Sequence, residues 1–253
     1  MQVHLIGTGG IGGLYGGLLA RSGSRITTQC RSDYEQVRTH GIRIESSVGL
    51  GNWTFRPDAV IRPGEPLREP PDIVLLAVKL TPQCDRLSLL RPVVGPKTAI
   101  VSISNGLEVD EELAHGFPHN EVLGGVAFVC TTRISPGHIH HQAYGHLVIG
   151  RCPAGPSSMG ETLVKRWVST GASAEYSTQL ESVRWQKALW NASFSALCTI
   201  SNTHTAAVLG TTEELVRQVM QEIHQTANQL GHCLPDGIIE KQINLSLIHI
   251  SEP

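Results

Sequence analysis

The sequence predicts an α/β domain built on βαβ units, followed by an all-helical domain. Three observations predict it. A short apolar strand runs straight into a glycine cluster, unbroken apolar runs recur with helical segments between them, and from about residue 179 the pattern turns helical. The expected divisions are residues 1–178 for the first domain, 179–244 for a partial helical domain, and 245–253 for a tail of separate origin.

The opening strand comes from Val3, Leu5 and Ile6, an apolar run too brief for a helix and bounded by glycine. Gly7, Gly9 and Gly12 then spell G-x-G-x-x-G. The first glycine serves a tight turn, the second lets a pyrophosphate approach the backbone, and the third lets the next helix pack closely on the sheet. Ile11, Leu14, Leu18 and Leu19 recur at helical spacing, and the N-terminus of that helix favours an anion. The loop of Gly7, Thr8, Gly9, Gly10, Ile11 and Gly12 is therefore the candidate cofactor cradle. A second β-rich run, Ile26 to Gln29, completes the βαβ setting that the motif requires, so the domain is Rossmann-like. S-adenosylmethionine is a competing ligand for such a loop, because methyltransferases use similar turns.

The residues after the second strand bear on which dinucleotide is bound. An NAD site wants a carboxylate there, whereas this chain has Cys30, Arg31 and Ser32 before its first acid, Asp33. Arg31 suits a 2′-phosphate and favours NADP, the alternative being a solvated surface arginine.

Twenty basic and twenty-two acidic side chains give a formal charge of −2, which recruits neither nucleic acid nor an anionic membrane. Small-molecule partners are expected. Six cysteines without C-x-x-C pairing argue against a zinc site or a disulfide framework, and a reducing cytoplasm is the simplest home. No signal peptide or membrane-spanning run is evident.

Between Gly41 and Ile61, IRIESSVGLGNWTF reads as a hairpin or irregular excursion. The run IVLLAVK fits a parallel strand covered on both faces, with Lys79 at its C-terminal end. Ligands gather at that edge of open α/β sheets, so Lys79 is either a phosphate or ribose contact or an ordinary strand-end charge. TPQCDRLSLLRPVV reads as a short helix, and TAIVSIS as a core strand ending at Ser104, Asn105 and Gly106. Asn105 either bonds a ribose or carboxamide or shapes the turn. Residues 121–151 hold further strands with His138, His140, His141 and His146. Alternation splits these histidines between two strand faces, with no cysteine or carboxylate completing a set, so they are expected to be structural and no metal is expected. PSSMGETLVKRWVSTG reads as a helix, with a short strand near Ala174 to Tyr176.

LESVRWQKALWNASFSALCTISN is one long helical pattern in which Lys187, Asn191 and Ser195 are spaced by four, on one face. Burying them unpartnered would cost about 1–3 kcal/mol each, so the stripe either lines a cleft or ligand site or lets Lys187 reach solvent while Asn191 caps a bend.

These elements together resemble the ketopantoate reductase (2-dehydropantoate 2-reductase) family. The residues that carry the likeness are GTGGIG at Gly7 to Gly12, AVK ending at Lys79, SNG at Ser104 to Gly106, and WQKALWN from Trp185 to Asn191. PGHIHHQAYGHLVIG is similar to the family's strand pair before the domain junction. The resemblance implies reduction of 2-dehydropantoate to pantoate by NADPH, for pantothenate and coenzyme A synthesis in the cytoplasm. It gives Lys187 the catalytic role and, with Asn191 and Ser195, the substrate. It gives Asn105 the nicotinamide ribose, and Arg31 and Lys79 the far end of the cofactor.

Ser195 stands where the family usually has a second asparagine, and Ser104 where glutamine is frequent. The family's later serine and glutamate have no matching context here. The final LSLIHISEP resembles the translation of a transposase adapter used in sequencing libraries, so the native sequence is expected to stop near Asn244. Two other functions stay open: a truncated, non-catalytic NADP-binding remnant, and a reductase of another branched 2-keto acid. A homodimer is also left open.

Overall fold

The computed structural model describes residues 1–248, which divide into two compact units, Met1–Leu180 and a second beginning at Glu181. In the first, β1 (Gln2–Ile6), α1 (Gly10–Arg21) and β2 (Arg25–Gln29) make the opening βαβ. After α2 (Tyr34–His40) come the antiparallel pair β3 (Ile42–Ser46) and β4 (Trp53–Phe55), then β5 (Ala59–Ile61), which runs parallel to β2. The excursion of residues 41–61 is thus a hairpin followed by an edge strand.

The next elements are β6 (Ile73–Leu76), α3 (Arg86–Leu90), β7 (Ala99–Ile103) and α4 (Glu111–Gly116). A long hairpin of β8 (Val122–Ser135) and β9 (His138–Cys152) follows, then α5 (Ser158–Val168) and β10 (Ala174–Tyr176). The strands form one sheet in the order β4-β3-β9-β8-β7-β6-β1-β2-β5, with β10 beside β9. From β5 through β8 every neighbour is parallel. Strands β6 and β7 are buried throughout, which explains the unbroken apolar run of β6 and the mostly apolar β7, interrupted by buried Ser102.

Alternation along β1 builds two cores. Val3 and Leu5 join Leu14, Leu18 and Leu19 of α1 on one face, while Ile6 joins Val74, Leu76, Ile100, Leu90 and Leu113 on the other. Helix α1 is held from two sides. A Cβ at Gly16 would stand 2.9 Å from Leu5 of β1, and one at Gly13 2.8 Å from Ile139 of β9. At Gly17 it would stand 2.9 Å from both Ile44 of β3 and Phe55 of β4. Trp167 of α5 closes a third flank, donating its indole N–H to the Tyr15 carbonyl at 3.1 Å.

In the second unit, α6 (Leu180–Trp190) passes into a π-helical turn (Asn191–Ser195) and then α7 (Ala196–Ser201), which Asn202 ends in the left-handed region. Helix α8 (Thr205–Gln229) kinks at Thr212, where the Thr211 and Thr212 hydroxyls bond back to the Ala207 and Val208 carbonyls. Helix α9 (Ile238–Ile248) follows. Leu189, Phe194, Val208, Val216, Met220, Ile238 and Ile243 form this unit's core. Of the tail expected at 245–253, residues 249–253 lie outside the described residues. Among the described residues no helix is long and apolar enough to cross a membrane.

Candidate active site

Strand register places the cofactor candidates. Ile6 is level with Gln29 of β2 and Leu76 of β6, and Leu76 is level with Ser102 of β7. Gly7, Arg31, Lys79 and Asn105 each lie one to three residues past that row, so four separate stretches of sequence deliver them to one sheet edge. That edge, at the C-terminal ends of strands, is where open α/β folds hold ligands.

The glycine turn shows what each position requires. Gly7 has φ +99°, a conformation other residues rarely adopt. A Cβ at Gly12 would collide with the Gly7 carbonyl, which fixes how closely α1 meets the turn. At Gly9 a Cβ would meet nothing within 4 Å, so the backbone there is open to a bulky anion. Gly9 caps α1 without a side-chain hydrogen bond, and no acid occupies the first turn. The first-turn amides, including those of Gly10, Ile11 and Gly12, thus keep the positive helix end available. This arrangement fits a dinucleotide pyrophosphate. Thr131 of β8 leans over the start of the helix, its Cγ2 3.0 Å from a Cβ placed at Gly10.

Arg31, Lys79 and Asn105 are exposed. Among the described residues, no carboxylate lies within ion-pair distance of Arg31 or Lys79. Asn105 precedes Gly106, whose φ of +116° turns the chain. Thr8 is different: its side chain is buried and donates to Asp33 Oδ2 at 2.7 Å, so its backbone alone belongs to the open face of the loop.

Lys187 and Asn191 are half-buried in the second unit. Burial, and secondarily the charge of Arg184, brings the Lys187 ammonium down to a pKa of about 8. Arg184 is itself buried, 3.8 Å from Glu181. The expected continuous helix needs correction, because the π turn starts at Asn191. The strict four-residue face therefore holds from Lys187 to Asn191, and the wider turn separates Asn191 from Ser195, which is exposed. The apolar composition of NASFSAL gives no sign of that turn.

The histidines of the hairpin take hydrogen-bonding roles. His141 is buried between the Ser46 hydroxyl at 3.1 Å and the Tyr144 carbonyl at 2.9 Å. His140 meets Ser47, and His146 meets Ser173. Sequence reasoning missed Asp33 and Arg133 as partners. The signal for Asp33 is its place just after β2; for Arg133, inside a strand far downstream, there is none.

The fold and the glycine edge define a Rossmann-like nucleotide-binding protein, and the family match makes it an NAD(P)-dependent oxidoreductase. The model of the family Ketopantoate reductase PanE/ApbA matches residues 3–154, and that of its C-terminal region matches residues 179–249. The chain belongs to this family. A 2-dehydropantoate 2-reductase of a Nostoc species is 32% identical over 251 residues, covering 96% of this chain and 77% of that protein. The crystal structure of 2-dehydropantoate 2-reductase from Methylococcus capsulatus is 43% identical with a TM-score of 0.93, over 100% of this chain and 81% of that one. D-mandelate dehydrogenase in a ternary structure with NADH and anilino(oxo)acetate is only 18% identical yet has a TM-score of 0.84, covering 96% of this chain and 79% of that one. It shares the fold alone.

Proposed function

We propose that this chain reduces 2-dehydropantoate to pantoate with NADPH. The observation that carries the reading is Lys187, a half-buried ammonium with a pKa brought to about 8, one helical turn before Asn191. A ketone that accepts hydride becomes an alkoxide, and a hydrogen-bonded ammonium stabilises that charge and then donates the proton. A pKa near 8 keeps Lys187 largely charged at neutral pH yet acidic enough to release its proton. Asn191 orients the ketone oxygen, while Ser195, the third substrate candidate, is set apart from that face by the π turn.

When bound, the reduced nicotinamide supplies the hydride. Arg31 would hold the 2′-phosphate, Lys79 the adjoining phosphate or ribose, and Asn105 the nicotinamide ribose, while the loop from Gly7 to Gly12 would receive the pyrophosphate. NADPH is favoured over NADH because the exposed charge after β2 is Arg31, whereas the Asp33 carboxylate is buried. On this reading the product enters pantothenate and coenzyme A synthesis, and the enzyme works in the cytoplasm.

The test is NADPH oxidation with 2-dehydropantoate, beside other branched 2-keto acids and with Lys187→Ala as control. Turnover is expected to be fastest with 2-dehydropantoate and about 10²–10⁴-fold lower in the variant, with NADPH affinity nearly unchanged. NADPH binding without oxidation by any keto acid would instead identify a non-catalytic nucleotide-binding protein.

A further inference from the structure

In βαβ folds that select NAD, an acid near the end of the second strand accepts the ribose hydroxyls, and the same charge repels a 2′-phosphate. This chain does carry an acid there. Asp33, next to the start of α2, is only 4% exposed. Its Oδ2 accepts the Thr8 hydroxyl at 2.7 Å, and Arg133 Nη1 stands 3.6 Å from the same oxygen. Thr8 lies within the glycine turn, and Arg133 comes from the far half of β8. Buried Cys30 places its Sγ 3.8 Å from Thr8 Oγ1. Arg31, two residues before Asp33, is exposed and has no carboxylate within ion-pair distance among the described residues. One short turn therefore presents its positive group outward and folds its negative group inward.

We propose that the cluster of Thr8, Asp33 and Arg133 is a positioning device for coenzyme choice. By drawing the Asp33 carboxylate inward, it leaves Arg31 to face a 2′-phosphate and so sets the preference for NADPH over NADH. This rests on the NADPH reading above. The cluster also ties the glycine turn to the β8–β9 hairpin, so a purely structural brace is the rival to be separated.

The experiment is equilibrium binding of NADPH and NADH, followed by dinucleotide fluorescence. It uses the unaltered chain, Arg133→Met, Thr8→Val, the two combined, and the combination with Asp33→Asn added. Thermal unfolding of each variant confirms that it is folded. Releasing the carboxylate should raise the NADPH dissociation constant about tenfold or more while leaving NADH binding equal or tighter. Adding Asp33→Asn should restore NADPH binding, because a neutral amide does not repel the phosphate. Arg133→Met alters a partly exposed side chain and should shift the ratio in the same direction even if Thr8→Val proves too unstable. Equal weakening of both coenzymes, unrelieved by Asp33→Asn, would leave a structural brace and overturn the inference. An unmoved ratio in variants of a chain that prefers NADPH overturns the inference alone. An unaltered chain that binds NADH as tightly as NADPH overturns the NADPH reading and the inference together.

Discussion

Gly9 and Gly12 lie three residues apart and answer different demands. Gly12→Ala would drive its Cβ into the Gly7 carbonyl, so α1 has to move away from the turn. Urea unfolding should show a loss of about 1–3 kcal/mol, as for other overpacked sites. Gly9→Ala meets open space and a backbone φ of −74°, so its stability should fall by no more than about 1 kcal/mol, the loss expected for alanine at an N-cap. Its cost should fall on coenzyme affinity, measurable by fluorescence titration. Lys187 adds a pH dependence at the same scale. On the proposed mechanism the charged form is the proton donor, so turnover should fall as pH rises through about 8, and the stability of the chain should not follow that fall. The identities of these residues were legible because each belongs to a short motif with its own stereochemistry. The inward turn of Asp33 was not, because it depends on Arg133, a partner brought by folding rather than by spacing.

At the level of elements, the π turn separates what periodicity can reveal from what it cannot. Lys187 and Asn191 occupy the face that a four-residue spacing predicts, yet the turn that begins at Asn191 leaves no mark in the pattern of apolar residues. Within it, Ser193 is fully buried and its hydroxyl has no hydrogen-bond partner among the described residues. In a regular helix a serine reaches the carbonyl four residues back, as Thr199 does to Ser195 at 2.7 Å. Ser193→Ala should therefore stabilise the second unit by about 1 kcal/mol, read as a raised urea midpoint with an unchanged slope. A loss of stability would mean that the hydroxyl is satisfied in solution. The parallel strands were easier to read, since burial on both faces leaves β6 continuously apolar and β7 apolar but for Ser102. The short α3 was legible only in outline, as five residues led by Asp85, whose carboxylate accepts the Ser88 amide.

For the whole molecule, acid sensitivity follows from buried histidines, because burial lowers the pKa of both His141 on β9 and His4 on β1. His4 is fully buried on β1, its Nδ1 beside the Thr27 hydroxyl at 2.9 Å and its Nε2 without a partner among the described residues. Burial holds its pKa down at about 4, against 6.5 in the unfolded chain. Between those values the unfolded state binds the extra proton, so stability declines as pH falls from about 6.5 toward 4. His4→Val should remove about 2 kcal/mol of the stability difference between pH 7 and pH 5, measured by urea unfolding at both. An unchanged pH dependence would assign the acid sensitivity to other groups. Nothing in the sequence distinguishes His4 from an exposed histidine except its place in a strand that the glycine motif itself identifies.

The way strands β1, β3, β4 and β9 crowd α1 also bears on how such a protein changes over time or in the laboratory. The helix behind the nucleotide loop has no slack on its flanks, so enlarging its small residues disturbs several strands at once. New coenzyme preferences are therefore more readily written into the loops at 31–33, 79 and 105–106, and a redesign that leaves residues 10–21 untouched starts from the safer half of the site.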